Sequence, residues 1–132
     1  MNRQYNFCAY SLHNVVGDPE PAKIINTLDI YFTAVINSTF TISCHGYGNE
    51  LPAILWNKYE EQLSNDSRIT VNQRYVLQNS TYQFITSTLT ISDIDTEDAG
   101  NYSCIANNSN GTDVHQFILK VIVPDKLCTY LL

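Results

Sequence analysis

No run in the 132 residues approaches 18 consecutive apolar positions, so the sequence offers no helix able to cross a bilayer. Basic residues are few. Seven Lys and Arg stand against 13 Asp and Glu, a formal charge of −6, and the lack of a cationic footprint argues against a nucleic-acid backbone or an anionic membrane surface as partner. The first six residues have neither a basic segment leading into an apolar run nor a small-residue cleavage site. No secretory signal is read there, and an extracellular origin would place the targeting segment outside this chain. Reactive patterns are missing too. The three histidines, His13, His45 and His115, lack the spacing of zinc ligands, and no Gly-x-Ser-x-Gly elbow or phosphate-cradling glycine loop occurs. The expectation is a chain with no catalytic residue, no cofactor and no metal, in which His45 is an outward or edge residue.

What the chain has instead is alternation with a period of two. From 101 to 106, Tyr102, Cys104 and Ala106 share one face while Asn101, Ser103 and Ile105 share the other, which predicts a strand with one buried side and with Asn101 and Ser103 toward solvent. Phe40, Ile42 and Cys44 repeat the pattern, as do Ile54 and Trp56 in 53–58. In 115–123, Phe117, Leu119 and Val121 share the face of His115, and Pro124 ends the strand. A first strand is read in 28–36, and Gly46, Gly48 and Pro52 are read as bounding the connection that follows Cys44. Two long strands, one carrying Tyr75 and Leu77 and the other Tyr82 and Phe84, are expected to meet through 78–81. Ile94 is placed at the bottom of the core, with one helical turn at 96–98. Residues 1–27, punctuated by Gly17, Pro19 and Pro21, read as an irregular leader, 28–123 as one domain and 124–132 as a tail. A hydrophobic content of 44% gives that domain a modest core.

Cys44, Trp56, Leu89, Ile91, Asp98, Gly100, Tyr102, Cys104, Ala106, Asn108 and Gly111 together resemble the pattern of the intermediate (I-set) immunoglobulin domains of adhesion molecules and receptor ectodomains, over roughly residues 28–123. The resemblance implies an all-β fold, a Greek-key immunoglobulin-like sandwich of two packed antiparallel sheets. It also implies a Cys44–Cys104 disulfide with Trp56 against it, Leu89 and Ile91 in the core, Tyr102 as a corner tyrosine, and an Arg68–Asp98 ion pair at the base. A bridge closing a loop of about 60 residues stabilises by on the order of 4 kcal/mol. Cys8 and Cys128 lie outside the pattern, and three states are open to them: a bond to each other, an intermolecular disulfide, or free thiols.

Six Asn-x-Ser/Thr acceptors occur, at Asn37, Asn65, Asn79, Asn101, Asn107 and Asn110, and with the cysteines they favour a secretory, oxidising history. At least two are expected to carry glycans, Asn37 and Asn79 foremost. The functional expectation is a non-enzymatic extracellular recognition module of a cell-surface receptor or adhesion protein, meeting a protein ligand or a second copy of itself without direct membrane contact. Alternatives are a secreted ligand-binding protein and an intracellular structural module like those of giant muscle proteins. Candidate surfaces are the sheet holding strands 53–58, 101–106 and 115–123, and the loops at either end. Tyr47, Tyr59, Tyr75 and Tyr82, near turns or edges, suit such a surface by joining apolar area to a polar tip.

Overall fold

The alternating segments pair into two sheets packed face to face. The structure is a computed structural model that describes residues 18–78 and 82–124. Its strands are β1 Glu20–Ile24, β2 Tyr31–Val35, β3 Phe40–Asn49, β4 Ala53–Lys58, β5 Glu61–Gln62, β6 Ile69–Gln78, β7 Tyr82–Ile91, β8 Gly100–Asn108 and β9 Gly111–Ile122, with a 3₁₀ turn at Thr96–Asp98. One sheet has the order β1-β3-β7-β6 and the other β2-β9-β8-β4-β5. The fold is the all-β sandwich expected from the sequence. Its pairings are antiparallel except that β2 runs parallel to β9, with Tyr31 opposite Ile118 and Val35 opposite Ile122. That follows from the chain's path. After β1 it crosses between sheets at 25–30 and keeps its direction.

Two boundaries differ from the sequence reading. Residues 20–24, read as part of an irregular leader, form β1 and pair with Asn49, Tyr47 and Gly46 of β3. Pro21 does not prevent this because β1 is an edge strand, where a missing amide donor goes unnoticed. The second correction concerns Gly46 and Gly48, which lie inside β3 instead of bounding a loop. Here glycine answers a close approach: a methyl on Gly48 would lie 2.7 Å from Asn108 Nδ2 and 3.2 Å from the Glu50 carbonyl oxygen.

The core is where the inner faces meet. Cys44, Trp56, Ile54, Ile85, Leu89, Ile91, Ile94, Tyr102, Cys104, Phe117 and Leu119 are all buried. Phe117 organises the aromatic part, stacked on Tyr102 at 5.3 Å between centroids and edge-on to Phe32 at 5.4 Å and Trp56 at 6.4 Å. Burying a side chain of that size contributes roughly 1.5 to 3 kcal/mol. Cys44 and Cys104 are joined by a disulfide across the two sheets, with Cα atoms 6.6 Å apart.

Candidate recognition surface

Polar links fix the strands that display the outer faces. Beside the disulfide, Trp56 Nε1 donates to Ser87 Oγ at 2.9 Å, and Gln73 Nε2 donates to the Ile54 carbonyl at 2.8 Å. Trp56 and Gln73 come from opposite sheets, so a hydrogen-bonded clasp runs alongside the covalent one. At the base, Arg68 meets Asp98 through two bonds, NH1 to Oδ2 at 2.9 Å and NH2 to Oδ1 at 3.0 Å, and NH1 also donates to the Asp93 carbonyl. Asp95 caps the 3₁₀ turn reciprocally: Asp98 Oδ2 accepts from the Asp95 amide at 2.7 Å. Tyr102 Oη donates to the Asp98 carbonyl at 2.5 Å, and Lys58 Nζ donates to the Glu97 carbonyl.

These contacts set the charges. Burial alone pushes the Asp98 carboxyl up, but the hydrogen bonds from Arg68 and the Asp95 amide and the charges of Arg68 and Lys58 outweigh it, holding the group below its ordinary value. Burial, reinforced by Asp98, raises Tyr102 above the usual phenol range. Asp66 is lowered by the amides of Arg68 and Ile69, and Glu50 by hydrogen bonds from Ser109. Nothing in this cluster resembles a reactive pair, because each carboxylate is consumed by a turn or an ion pair. Among the described residues no group of three or more His, Cys, Asp or Glu could hold a metal ion. His45 lies on the outer face of the four-stranded sheet with Nδ1 2.8 Å from Thr86 Oγ1, and His115 Nε2 lies 3.1 Å from the Asp29 carbonyl.

The outer face of the five-stranded sheet differs from that of its partner. On the four-stranded sheet, facing positions are hydroxyl-rich, with Ser43 opposite Thr88 and Thr41 opposite Thr90. On the five-stranded sheet, Leu55 stands opposite Ile105 and Ile105 opposite Val114, an apolar row across three strands with Leu55 and Val114 exposed. From Ser103, two residues along β8 from Ile105, to Asn101, a groove of about 1180 Å³ crosses the same face between the β4–β5 turn and the start of β2. Its lining includes Tyr31, Tyr59, Gln62, Asn101, Ser103 and Gln116. Tyr59 is 61% exposed and Tyr31 is 59% exposed. Ser103, expected toward solvent, does point to this face yet is buried; it sits between Asn57 and Gln116 of the neighbouring strands, and its short side chain lies below theirs.

The remaining acceptors are distributed over ends and edges. Asn37 is exposed in the β2–β3 turn with φ 66°, a left-handed conformation that asparagine tolerates. Asn65 Oδ1 accepts from the Val71 amide, Asn107 Oδ1 from Thr112 Oγ1, and Asn110 Nδ2 donates to the Asn49 carbonyl. Asn101 is exposed on β8. Asn79, Cys8, Cys128 and His13 lie outside the described residues, as does the side chain of Tyr82. Of the other tyrosines singled out by sequence, Tyr75 is exposed on β6, and Tyr47 is half-buried 6.1 Å from Phe84.

Sequence reasoning missed Ser87, Gln73 and Tyr31, and it missed Asn108 as a hub. Asn108 Nδ2 donates to the Glu20 and Glu50 carbonyls and its Oδ1 accepts from the Ala22 amide, which ties β1 to the β8–β9 turn. The signal for Tyr31 was present: it opens an alternating stretch, Tyr31, Thr33, Val35, opposite Ala34 in the core.

Comparison with known proteins places this geometry. A 107-residue stretch is 27% identical to the peroxidasin homolog of Mus musculus, covering 81% of this chain and 6% of that protein. Another, of 92 residues, is 30% identical to neural cell adhesion molecule 1 of Gallus gallus, covering 70% of this chain and 8% of that protein. The chain thus spans less than a tenth of the length of these relatives. Titin domain M7 superposes with a TM-score of 0.64 at 20% identity, covering 80% of this chain and 97% of that one, a likeness of fold. The model of the immunoglobulin I-set domain matches residues 23–121, in agreement with the buried disulfide, the tryptophan beside it and the corner tyrosine, and this chain belongs to the immunoglobulin I-set family.

Proposed function

We propose that this chain is a non-enzymatic protein-recognition module of an extracellular protein, cell-surface or secreted, and that it docks a partner protein on the outer face of the five-stranded sheet. The observation that carries the reading is the row Leu55, Ile105, Val114, apolar side chains aligned across three hydrogen-bonded strands where the opposite sheet offers hydroxyls. Such a row is held rigid by the disulfide and the clasp beneath it, so little ordering is lost on binding. The formal charge of −6 and the exposed Glu60 and Glu61 beside the face suit a partner with an apolar patch rimmed by basic groups. The Cys44–Cys104 bridge, which persists in oxidising compartments, supports the extracellular setting over an intracellular structural module. The adhesion relative, by its name, supports the same setting.

The test is binding of the secreted chain to intact cells, compared with the variant Leu55→Asp/Val114→Asp. Saturable binding that weakens with added salt and drops at least about tenfold in the variant, the loss of 1.4 kcal/mol or more, is the expected outcome. Equal binding by the variant moves the surface elsewhere. Clustering of beads coated with the chain alone would identify the partner as a second copy, and a folded chain that binds neither cells nor itself overturns the reading.

A further inference from the structure

The groove beside the apolar row holds an acceptor asparagine next to an aromatic ring that the backbone has fixed in place. Tyr59 sits in the left-handed region at φ 53°, and its amide donates to the Asn101 carbonyl at 2.7 Å. Its ring lies on the residue just before that asparagine: a methyl on Gly100 would fall 2.9 Å from Tyr59 Oη and 3.1 Å from its Cζ. Gly100 itself has φ 149°, a conformation open to glycine and disfavoured for other residues. Two unusual backbone positions therefore hold the ring against Gly100, the neighbour of Asn101 in the chain, while Tyr59 stays 61% exposed and lines the groove with Asn101. Tyr31 is also exposed in the same groove.

We propose that Asn101 is an N-glycosylation site and that the first sugar residues of its glycan lie in this groove, stacked on Tyr59 and flanked by Tyr31. This deepens the extracellular reading above and rests on it. Asn101-Tyr102-Ser103 supplies the acceptor triplet, and Asn101 is exposed in the groove. The C–H face of a pyranose ring is apolar and buries well against an aromatic face, while Gln62 and Gln116 in the lining offer partners to its acetamido and hydroxyl groups. At about 1180 Å³ the groove exceeds the roughly 300 to 1,000 Å³ of small-molecule sites, which gives room for more than one ring.

The modification is a group transfer from a lipid-linked oligosaccharyl pyrophosphate. Asn101 Nδ2 bonds to the anomeric carbon, the bond from that carbon to the pyrophosphate oxygen breaks, one amide proton is lost and the lipid pyrophosphate leaves. Ser103 is buried in the folded domain, so the transfer takes place on the extended chain before β8 is sealed. A glycan seated sideways in the groove leaves the Leu55, Ile105, Val114 row open. Its attachment point, Asn101, lies four residues down β8 from Ile105, about 13 Å at the rise of a strand, and the near end of the groove, at Ser103 and Gln116, lies two residues from the row.

The full chain, secreted from mammalian cells with isotope-labelled N-acetyl groups, tests this by glycopeptide mass at each acceptor and by the NMR position of the acetyl methyls. The expected result is occupancy at Asn101 with its acetyl signal shifted upfield by the tyrosine rings. That shift is lost in Tyr59→Ala and retained in Tyr59→Phe, which keeps the ring. Asn101 occupied with signals matching those of the glycan at Asn37 overturns the seat. Other acceptors occupied and Asn101 empty overturns the site while leaving the secretory reading in place, and no acceptor occupied at all removes both.

Discussion

Trp56 and Ser87 join the two sheets by a hydrogen bond of 2.9 Å in which neither partner exposes more than 1% of its surface. The indole needs that acceptor. In Ser87→Ala the buried N–H loses its partner, and the penalty for an orphaned buried donor, about 1 to 3 kcal/mol, is the expected loss in urea unfolding. Trp56→Ala removes ring and bond together and is expected to cost about 3 to 5 kcal/mol. An unchanged unfolding midpoint in Ser87→Ala would show that the indole finds another acceptor.

How much of this was legible in the sequence depends on the range of the forces involved. Alternation showed which faces of β3, β4, β8 and β9 turn inward, because side-chain direction in a strand is a local property. The bridge and the base ion pair came through a resemblance of spacing. What sequence did not reveal is non-local. Glycines at 46 and 48 read as turn residues, yet they lie inside β3; at 48 a side chain has no room because Asn108, 60 residues on, packs on the backbone there, and at 46 Ile54 and Ile85 close in from other strands. Pro19 and Pro21 masked β1, whose place depends on an edge of β3 that no local pattern announces. Nothing local sets Ser87 apart from the hydroxyls around it, and only the opposite sheet makes it an acceptor. The groove was equally hidden, since Tyr31, Tyr59 and Asn101 are remote in sequence and meet through strand order alone.

Acid should weaken the domain through its base. The Asp98 carboxyl is held below its unfolded value, near 3.9, so the unfolded chain binds the proton first as pH falls. The contribution is present above about pH 4 and is lost as pH drops through the folded value. Asp66 and Glu50 are lowered too and share the slope. Asp98→Asn is therefore expected to lower stability at pH 7 and to flatten, without abolishing, its fall between about pH 5 and pH 2, read by urea midpoints across that range.

Alkali should act through Tyr102, whose phenol is raised by burial. Above about pH 10 the unfolded chain releases this proton while the folded domain keeps it, so unfolding gains and stability falls as pH rises. Tyr102→Phe deletes the titrating group along with its bond to the Asp98 carbonyl. The variant is expected to lose about 0.5 to 1.5 kcal/mol at pH 7 and to show a shallower alkaline decline. Equal slopes for both proteins above pH 10 would assign the decline to other groups.

The packing of Tyr59 on Gly100 can be separated into a backbone part and a contact part. Gly100→Ala places a methyl at φ 149°, where the backbone strain is of order 1 to 3 kcal/mol, and drives it to 2.9 Å from Tyr59 Oη, with overpacking adding about 1 to 3 kcal/mol. In a Tyr59→Ala background the contact is gone while the strain stays. The cost of Gly100→Ala is therefore expected to shrink by about 1 to 2 kcal/mol in that background, a coupling read from a double-mutant cycle in urea. Additivity within about 0.5 kcal/mol would mean that the ring swings aside freely. A ring free to swing would also make a poor seat for the sugar proposed at Asn101, so the cycle bears on that inference through stability alone, with no glycan present.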